Sequence, residues 1–342
     1  MATGIVQDWR YLRHEMGPYH VENPARLQVI YEMVAAEPSF SQLVAIKPRE
    51  AAEEEIGLVH TAKYISELKE TKGKPRVILD PDTSTGAFSY ETALLAAGGV
   101  LQAAKAVMEK RVENCFALIR PPGHHAEASR AMGFCLFNNV AIAARWLRKE
   151  YGLARILVID WDLHHGNGTQ QAFYQEKEVL YFSTHQYPYY PGTGWWDEVG
   201  EGGGEGFTFN VPLSPGKGDA DYLFIFREIL TPIALRYQPE FILVSAGFDI
   251  YGGDPLGGMM VSVAGLAGLA AHVISLAREA AQGRLVLSLE GGYSLDGLRE
   301  GVKEILFQLA GLKPPPGIEP VISALTKKEL APAFHNLDRY WK

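Results

Sequence analysis

Short apolar runs rich in β-branched residues alternate along the chain with longer stretches whose apolar positions recur at helical spacing. The short runs are bounded by Gly, Pro and His and predict six strands. The predicted strands are residues 114–119, 155–160, 179–185, 207–211, 241–245 and 285–289. The predicted helices between them are residues 138–151, 219–237 and 263–281, a short helix ending at 174 and a last helix ending near 310. This alternation predicts a parallel sheet with helices on both faces.

The two ends of the chain depart from this pattern. Two long helices, at 26–36 and 89–110, are expected before the first predicted strand. No repeat or linker precedes the segment GLKPPPG at 311–317, so residues 1–313 are predicted to form a single domain. Residues 314–342 are expected to form a C-terminal extension that packs on or beside that domain.

Composition narrows the class of protein. Hydrophobic residues make up 47% of the chain and charged residues 21%, which is typical of a globular protein with a sizeable core. The net charge of −8 gives no basic surplus for nucleic acid or an anionic membrane. Two cysteines cannot build a four-cysteine zinc site or a disulfide framework. We see no signal-like start and no membrane span, so we expect a cytoplasmic protein without nucleic-acid or membrane partners.

The segment DWDLHHGNGTQ at 160–170 carries the clearest chemical signal. Side chains of a strand alternate between its faces, so Asp160, Asp162 and His164 are expected to point the same way. Asp249, at the end of another predicted strand, can supply a further carboxylate, because the carboxyl ends of parallel strands meet at one edge. Asp162, His164 and Asp249 are thus predicted to hold one metal ion and leave a coordination position open for catalysis. The alternative is a salt-bridged turn with a capping Asp.

Two more loops after strands carry groups suited to acid–base chemistry. His124 and His125 follow two prolines, and a histidine pair in a rigid loop favours proton transfer over an ordinary surface role. Asp160 and Asn167 are available to orient their rings. Tyr293 follows two glycines and is a candidate donor to a developing oxyanion, although an aromatic packing residue is the simpler interpretation. The glycine-rich run at 200–206 is interpreted as a flexible rim loop.

Several motifs, in order, resemble the zinc-dependent histone deacetylase superfamily. They are RPPGHHAE (120–127), GFCLFNN (133–139), DWDLHHGNGTQ (160–170), SAGFD with DPLGG (245–258) and EGGY (290–293). The resemblance covers residues 14–312 and is closest to class II enzymes, notably the class IIb type, and to their bacterial relatives. It implies an α/β protein with the arginase/deacetylase fold, in which one domain surrounds a mostly parallel, eight-stranded sheet.

The resemblance also implies roles for individual residues. It implies a catalytic Zn²⁺ held by Asp162, His164 and Asp249. Catalytic roles are implied for His125 as general base, His124 as its electrostatic neighbour supported by Asp160, Asn167 beside the histidines, and Tyr293 as oxyanion donor. A structural K⁺ is implied at Asp160, Asp162, His164, Ser183 and Thr184, and a second monovalent site near Phe173, Glu176, Val179 and Phe207.

The substrate tunnel follows from the same resemblance. Phe134 and Tyr190 match its aromatic walls, with Tyr190 in place of the usual Phe. Gly133 matches a residue whose carbonyl accepts from the substrate amide, and Arg26 matches a buried arginine beneath the site. Leu256 stands where polyamine-selective class IIb relatives carry an acid. This favours an acetylated lysine peptide or protein, or a small acetylated amine, as the substrate.

Three alternatives stay open on the sequence alone. An acetylpolyamine amidohydrolase would use the same site with a different amine. An arginase-like hydrolase would need a second metal, but positions 166 and 247 are glycines and supply no ligands. A non-catalytic acyl-lysine-binding protein would lack a metal ligand, the base or the tyrosine, and here all of them are present. The sequence does not determine whether the metal is zinc or iron, which acyl length is preferred or what the oligomeric state is.

Overall fold

The computed structural model describes residues 2–342, which form ten strands and twelve α-helices. The strands are β1 Thr3–Val6, β2 Val44–Ala45, β3 Val77–Ile78, β4 Ser84–Thr85, β5 Asn114–Ala117, β6 Ile156–Asp160, β7 Val179–Gln186, β8 Thr208–Leu213, β9 Phe241–Ala246 and β10 Leu285–Leu289. Eight of them form one sheet in the order β2-β1-β5-β10-β9-β6-β7-β8, and every neighbouring pair is parallel. The predicted fold class is therefore confirmed.

The helices are α1 Ala25–Ala36, α2 Glu53–Ile56, α3 Ala62–Lys69, α4 Ser89–Met108, α5 Asn139–Tyr151, α6 Asn167–Phe173, α7 Asp219–Ile225, α8 Thr231–Tyr237, α9 Val263–Ala280, α10 Leu295–Leu309, α11 Ala324–Glu329 and α12 Ala331–Trp341. Helices α1, α7, α9 and α10 pack together in one layer, and α4 packs with α5 in another. The strands between these layers are buried along almost their whole length, as expected for a parallel sheet covered on both faces.

The six strands expected from the pattern are present, but β1 and β2 are not apparent from it. β1 has four residues and includes Gly4, and β2 has two residues at the edge of the sheet. Such short segments give too few alternating positions to separate a strand from a loop. β1 is nevertheless fully buried, because it pairs with β2 on one side and β5 on the other.

The helix expected at 219–237 is interrupted by a wider turn. Phe226–Leu230 is π-helical and connects α7 to α8 without a break. Pro232 lies in the first turn of α8 and has no backbone N–H for the helical ladder. The Thr231 hydroxyl donates to the Phe226 carbonyl across the wide turn. A single π turn of this kind accommodates the missing donor while the helix continues.

Among residues 2–342, α9 alone is long and apolar enough to cross a membrane, with a mean hydropathy of 1.2 over 18 residues. Of this helix, 56% is buried inside the protein, where α9 packs against α7 and α10. The core helix of a folded domain has the same properties.

The glycine-rich run at 200–206 lies in a different place from the predicted rim. It directly precedes β8, so it lies at the amino end of that strand, whereas ligands of an open parallel sheet bind at the carboxyl ends. Gly202–Gly204 forms a short 3₁₀ helix. The Trp341 indole donates to the Gly206 carbonyl, which ties the run to α12. Helix α12 in turn packs on β8 and α8 and covers the edge of the sheet.

Four neighbouring strands end at the same level. In the sheet order β5-β10-β9-β6, Ala117 pairs with Ser288, Ser288 with Ser245, and Ser245 with Asp160. The loops that follow these strands therefore leave the sheet side by side. They are the four loops in which the sequence concentrates its histidines, carboxylates and tyrosine.

Candidate active site

A pocket of about 230 Å³ opens at the carboxyl edge of the sheet. Its lining residues are Asp82, Pro122, His124, His125, Gly133, Phe134, His164, Tyr189, Tyr190, Leu256, Gly291 and Tyr293. The structure thus gathers, from five separate loops, most of the side chains that the sequence predicts for catalysis and substrate binding. Asp82 and Tyr189 line the same pocket and were not predicted.

Two aspartates and a histidine converge at the base of this pocket. Asp162 and His164 follow β6, and Asp249 follows β9. His164 Nδ1 lies 3.2 Å from Asp162 Oδ1 and 3.1 Å from Asp249 Oδ2, and all three side chains are buried or nearly so. Their ligand atoms lie within 4.8 Å of one another. The predicted ligands therefore form one cluster, with His164 also lining the pocket.

Backbone amides hold the outer oxygens of both carboxylates. The Gly291 N–H donates to Asp162 Oδ2 at 2.8 Å, and the Leu163 N–H donates to Asp249 Oδ1 at 2.9 Å. A Cβ atom at Gly291 would collide with both carboxylates, so only glycine permits this approach. Each aspartate is thereby oriented with its other oxygen toward the centre of the cluster.

The charges of the cluster call for a cation. Burial would lower the pKa of His164, but hydrogen bonds to Asp162 and Asp249 outweigh it and raise that pKa to about 9. Burial, together with the charge of Asp162, raises the pKa of Asp249 to about 7. For Asp162, by contrast, burial would raise the pKa, but His124 and His164 outweigh it and hold that pKa below its usual range. Two buried carboxylates this close together are stabilised by a positive ion between them. One imidazole nitrogen and two carboxylate oxygens are a donor set that fits a divalent metal, zinc included.

The histidine pair lies next to this cluster, on the loop after β5. The two rings are 4.0 Å apart. His124 Nδ1 lies 3.1 Å from Asp160 Oδ2, and His125 Nδ1 lies 2.8 Å from Asn167 Oδ1. The pairing of each histidine with its expected orienting residue is thus present in the structure.

Their surroundings give the two histidines different charge states, one cationic and one neutral. Burial would lower the pKa of His124, but Asp162 and Asp160 outweigh it and raise that pKa to about 10. For His125, burial and then the positive charge of His124 lower the pKa well below its ordinary value. The first ring holds a proton at neutral pH, whereas the second is neutral and able to accept one.

The remaining predicted catalytic group, Tyr293, is held over the pocket from two sides. Its backbone N–H donates to Asp254 Oδ2 at 2.6 Å, and its ring packs edge-on against Phe134 at 5.8 Å between centroids. Burial raises the pKa of the Tyr293 phenol well above its ordinary value. The hydroxyl is therefore a proton-bearing donor at neutral pH.

Comparison with known proteins agrees with this geometry. Residues 20–309 match the Histone deacetylase domain family. The chain is 40% identical to a "Probable deacetylase" of Archaeoglobus fulgidus over 100% of this chain and 99% of that protein. It is 41% identical to human "Polyamine deacetylase HDAC10" over 86% of this chain and 45% of that protein. The crystal structure of the HDA15 HD domain superposes with a TM-score of 0.93 at 37% identity, covering 99% of this chain and 97% of that one.

The chain belongs to the histone deacetylase family. It is accordingly a hydrolase of the deacetylase type, as the resemblance in its motifs predicted. It spans nearly the whole archaeal relative but only about 40–57% of the length of the eukaryotic relatives that it matches.

The aromatic wall of this histone deacetylase fold is supported by the β3–β4 hairpin. Phe134 has a left-handed backbone with φ of 69°, which is strained for a bulky residue. Its N–H donates to the Thr83 hydroxyl at 3.0 Å, and the Gly133 N–H donates to Asp82 Oδ1 at 3.1 Å. The opposite wall, Tyr190, lies edge-on to His125 at 5.1 Å. Local pattern could not indicate Asp82, because its partners lie some fifty residues away.

A second missed residue, Glu290, connects the catalytic loops. This buried carboxylate accepts the Gly123 N–H at 2.6 Å and the His124 N–H at 3.3 Å, and it accepts the Ser245 hydroxyl at 3.1 Å. Its backbone carbonyl accepts a hydrogen bond from the guanidinium of Arg26, the buried arginine that the resemblance implied. Glu290 thus connects the loop of His124 and His125 both to β9 and to the loop after β10, which carries Glu290 itself and Tyr293. A charged residue directly after an apolar strand was the available signal.

Arg26 is fully buried beneath the site, in line with the prediction. Its guanidinium donates to the carbonyls of Glu290 and Gly292 and to Glu22 Oε1 at 3.0 Å. Glu22 also binds Arg120 through two further hydrogen bonds. The start of α1, the end of β5 and the loop after β10 are thereby joined through one buried carboxylate.

The potassium sites stay predictions. Ser183 lies beside Asp160 in the register of β6 and β7, so the residues expected at the first site are adjacent. The buried Thr184 hydroxyl has no hydrogen-bond partner among residues 2–342. The residues expected at the second site lie around the end of α6 and the starts of β7 and β8.

Proposed function

We propose that this protein is a zinc-dependent deacetylase that hydrolyses the N-acetyl amide of acetylated lysine side chains. The observation that carries the proposal is the convergence of three groups at one narrow pocket. A buried Asp–His–Asp cluster, a neutral histidine and a protonated tyrosine all meet there. A metal ligand set, a neutral base and an oxyanion donor are together sufficient for metal-assisted amide hydrolysis.

Each residue has a task that follows from its surroundings. Zn²⁺ held by Asp162, His164 and Asp249 would polarise the acetyl carbonyl and lower the pKa of the attacking water. His125 accepts the proton of that water, because it is neutral, and then delivers a proton to the leaving amine. Tyr293 donates its hydroxyl to the carbonyl oxygen as negative charge develops there.

His124 contributes charge rather than proton acceptance. Its cation is fixed by Asp160 at 3.1 Å and lies 3.7 Å from Asp162 through Nε2. A permanent positive charge beside His125 keeps the base neutral in the resting state and favours the anionic transition state.

The pocket walls support an uncharged substrate head on an alkyl stem. Phe134, Tyr190 and Leu256 line the pocket and give it apolar walls. An acetylated lysine has lost its ammonium charge, so its four-carbon stem and acetyl group fit apolar walls without a counter-ion.

A second candidate, acetylpolyamine hydrolysis, is favoured by one observation at the pocket. Asp82 is among the lining residues, and a carboxylate that lines the pocket could attract the distal cation of a polyamine. The human relative named as a polyamine deacetylase supports including this class. Against it, Asp82 Oδ1 already accepts from the Gly133 N–H and the Thr83 hydroxyl, so this carboxylate has a structural role in the pocket wall.

One assay separates these functions. An acetyl-lysine peptide, N-acetylputrescine and N-acetylspermidine are compared as substrates of the enzyme as isolated, after chelation and after Zn²⁺ or Fe²⁺ is restored. We expect a higher kcat/KM for the peptide, loss of activity on chelation and recovery with metal. Preference for the acetylated polyamines would replace the lysine proposal with the second candidate. Metal-loaded protein that binds but hydrolyses none of them would contradict both.

A further inference from the structure

The ring of His125 has one nitrogen occupied by the protein. His125 Nδ1 lies 2.8 Å from Asn167 Oδ1, and both side chains are buried. Nε2 is therefore the nitrogen available to the pocket that His125 lines. A neutral imidazole can accept a proton at Nε2 only when its own proton is on Nδ1. The tautomer of His125 thus decides whether it can act as a base.

The orientation of the Asn167 amide decides that tautomer. With its oxygen toward His125, the amide accepts from Nδ1–H and leaves Nε2 with a free lone pair. If the amide turned over, its NH₂ group would donate to Nδ1 and the ring proton would move to Nε2. Hydrogen bonds at the far side of an amide therefore determine which tautomer it supports.

Three acceptors lie on the far side of the Asn167 amide. Asn167 Nδ2 is 2.9 Å from Glu127 Oε1, 3.3 Å from Met132 Sδ and 3.4 Å from the His125 carbonyl oxygen. A turned amide would place its oxygen against all three. The Glu127 carboxylate is the only charged acceptor of the three, and charge-assisted hydrogen bonds are about twice as strong as neutral ones.

Glu127 is itself fixed in place. Its Oε1 also accepts from the Arg130 guanidinium at 2.9 Å, and its backbone N–H donates to the Arg130 carbonyl at 3.0 Å. Its own carbonyl contacts His60 Nδ1 at 2.9 Å. Its side chain is 19% exposed, so it lies one layer outside the buried Asn167.

We propose that Glu127 is a positioning residue that orients the Asn167 amide and so holds the proton of His125 on Nδ1. The inference rests on the proposed function, in which His125 is the base. It assigns a role to a residue that touches neither the pocket nor the metal ligands.

Two substitutions of Glu127 test the hydrogen bond rather than the charge. Glu127→Gln keeps an oxygen that can accept from Asn167 and Arg130 at once, whereas Glu127→Met has similar length and no strong acceptor. We expect Glu127→Met to lower kcat by about 10- to 100-fold, with KM changed less than about twofold, as for other residues that orient a catalytic group. Glu127→Gln is expected to retain most of the wild-type kcat.

A rescue experiment separates positioning from a general loss of structure. A carboxylate at position 167 can only accept, so Asn167→Asp supports the same His125 tautomer without help from residue 127. The double variant Glu127→Met with Asn167→Asp is therefore expected to recover most of the lost kcat once the pH is high enough for His125 to be neutral, because a facing carboxylate also raises the pKa of that ring. In the wild-type background, Asn167→Asp places two carboxylates in contact and should instead lower kcat.

The tautomer is also observable without turnover. In ¹⁵N-histidine-labelled protein, with the His125 signals assigned by comparison with His125→Ala, we expect protonated Nδ1 in the wild type and in Glu127→Gln. We expect a shift toward protonated Nε2 in Glu127→Met. Glu55→Gln, which alters a partly buried carboxylate paired with Arg49 away from the pocket, is the matched control and should change neither kcat nor this spectrum.

The inference is overturned if Glu127→Met keeps kcat within about twofold of wild type and leaves the His125 signals unchanged. It is equally overturned if kcat falls while Nδ1 stays protonated and Asn167→Asp gives no recovery. Failure of the wild type to hydrolyse any acetyl amide would reject the proposed function, whereas the tautomer measurement would still test the role of Glu127 independently.

Discussion

His124 and His125 are adjacent in the chain and equally buried, yet their neighbours give them different protonation states. Asp160 and Asp162 surround the first ring, and an uncharged amide faces the second. The carboxylates beside the first ring thus favour its cation, whereas the second ring stays neutral, and this difference underlies the separate roles proposed for the two histidines. Tyr293 completes the set, because burial keeps its phenol protonated as a donor.

Removal of the Tyr293 hydroxyl alone tests its proposed role as oxyanion donor. Tyr293→Phe keeps the ring contact with Phe134 and removes only the hydrogen-bond donor. We expect kcat to fall by about 10²–10³-fold, the usual effect of losing an oxyanion donor. Steady-state kinetics together with the metal content of the same sample provide the measurement. Near-wild-type turnover with metal bound would remove Tyr293 from the chemistry.

At the level of elements, four loops that leave β5, β6, β9 and β10 side by side carry the metal ligands, the histidines and Tyr293, and the loop after β7 adds Tyr190. The side chains predicted as metal ligands, histidine pair and tyrosine come together in the structure because each lies in a loop that follows an apolar strand. Asp82 and Glu22 escaped prediction, because their partners come from distant loops and no local pattern marks them. Glu290 carried a local signal, a charge directly after an apolar strand, but its partners on other loops are not visible in the sequence pattern. Strand β1 escaped because it is short, and the π turn before α8 escaped because periodicity alone does not show how a helix accommodates Pro232.

Close approach of two loops gives a prediction about Gly291. Gly291→Ala would place a methyl group against the carboxylates of Asp162 and Asp249 and displace them. We expect zinc affinity to fall by about 10- to 100-fold, as when a group that orients a metal ligand is disturbed. Competition with a chromophoric chelator measures this affinity. Gly317→Ala, at a position with open space, is the control. Unchanged zinc affinity in Gly291→Ala would contradict the described approach.

The junction of α1, β5 and the loop after β10 gives a pH-dependent prediction. Burial would raise the pKa of Glu22, but Arg120 outweighs it and holds that pKa far below its usual range. The ionised Glu22 carboxylate therefore adds to the free energy of unfolding above the pKa of an unfolded Glu, about 4.3. This contribution is lost as the pH falls toward the lower pKa that Glu22 has in the folded protein. We expect Glu22→Gln to lower the free energy of unfolding by about 3–5 kcal/mol at neutral pH, as for a broken buried ion pair.

Urea unfolding of wild type and Glu22→Gln at neutral and acidic pH tests this. The difference should narrow as pH falls below about 4, because the wild-type carboxylate then loses its advantage over the amide. Glu67→Gln, in an exposed pair with Lys63, should change the free energy by less than about 1 kcal/mol. A difference that is constant with pH would show that the Glu22 charge contributes nothing.

At the scale of the whole molecule, the C-terminal helix belongs to the folded unit and lies away from the chemistry. Trp341 is 8% exposed and packs edge-on against Phe207 and Tyr237 beside β8, whereas the pocket lies at the carboxyl ends of the central strands. Stability and catalysis are therefore expected to separate for substitutions in this region.

Trp341→Ala tests that separation. We expect the free energy of unfolding to fall by about 3–5 kcal/mol, the usual effect of truncating a buried Trp. The kcat of the protein that stays folded should match wild type. Denaturant unfolding and kinetics at low temperature measure the two effects, with Leu325→Ala, at a position 80% exposed, as the control. A large fall in kcat without loss of stability would place α12 in the catalytic machinery.

Anomalous diffraction at the zinc absorption edge from crystals of the zinc-loaded protein tests the proposed metal centre. We expect one strong peak among Asp162 Oδ, His164 Nδ1 and Asp249 Oδ, at the base of the pocket that His125 and Tyr293 line. No peak at that position in protein that hydrolyses acetyl-lysine peptides would contradict it.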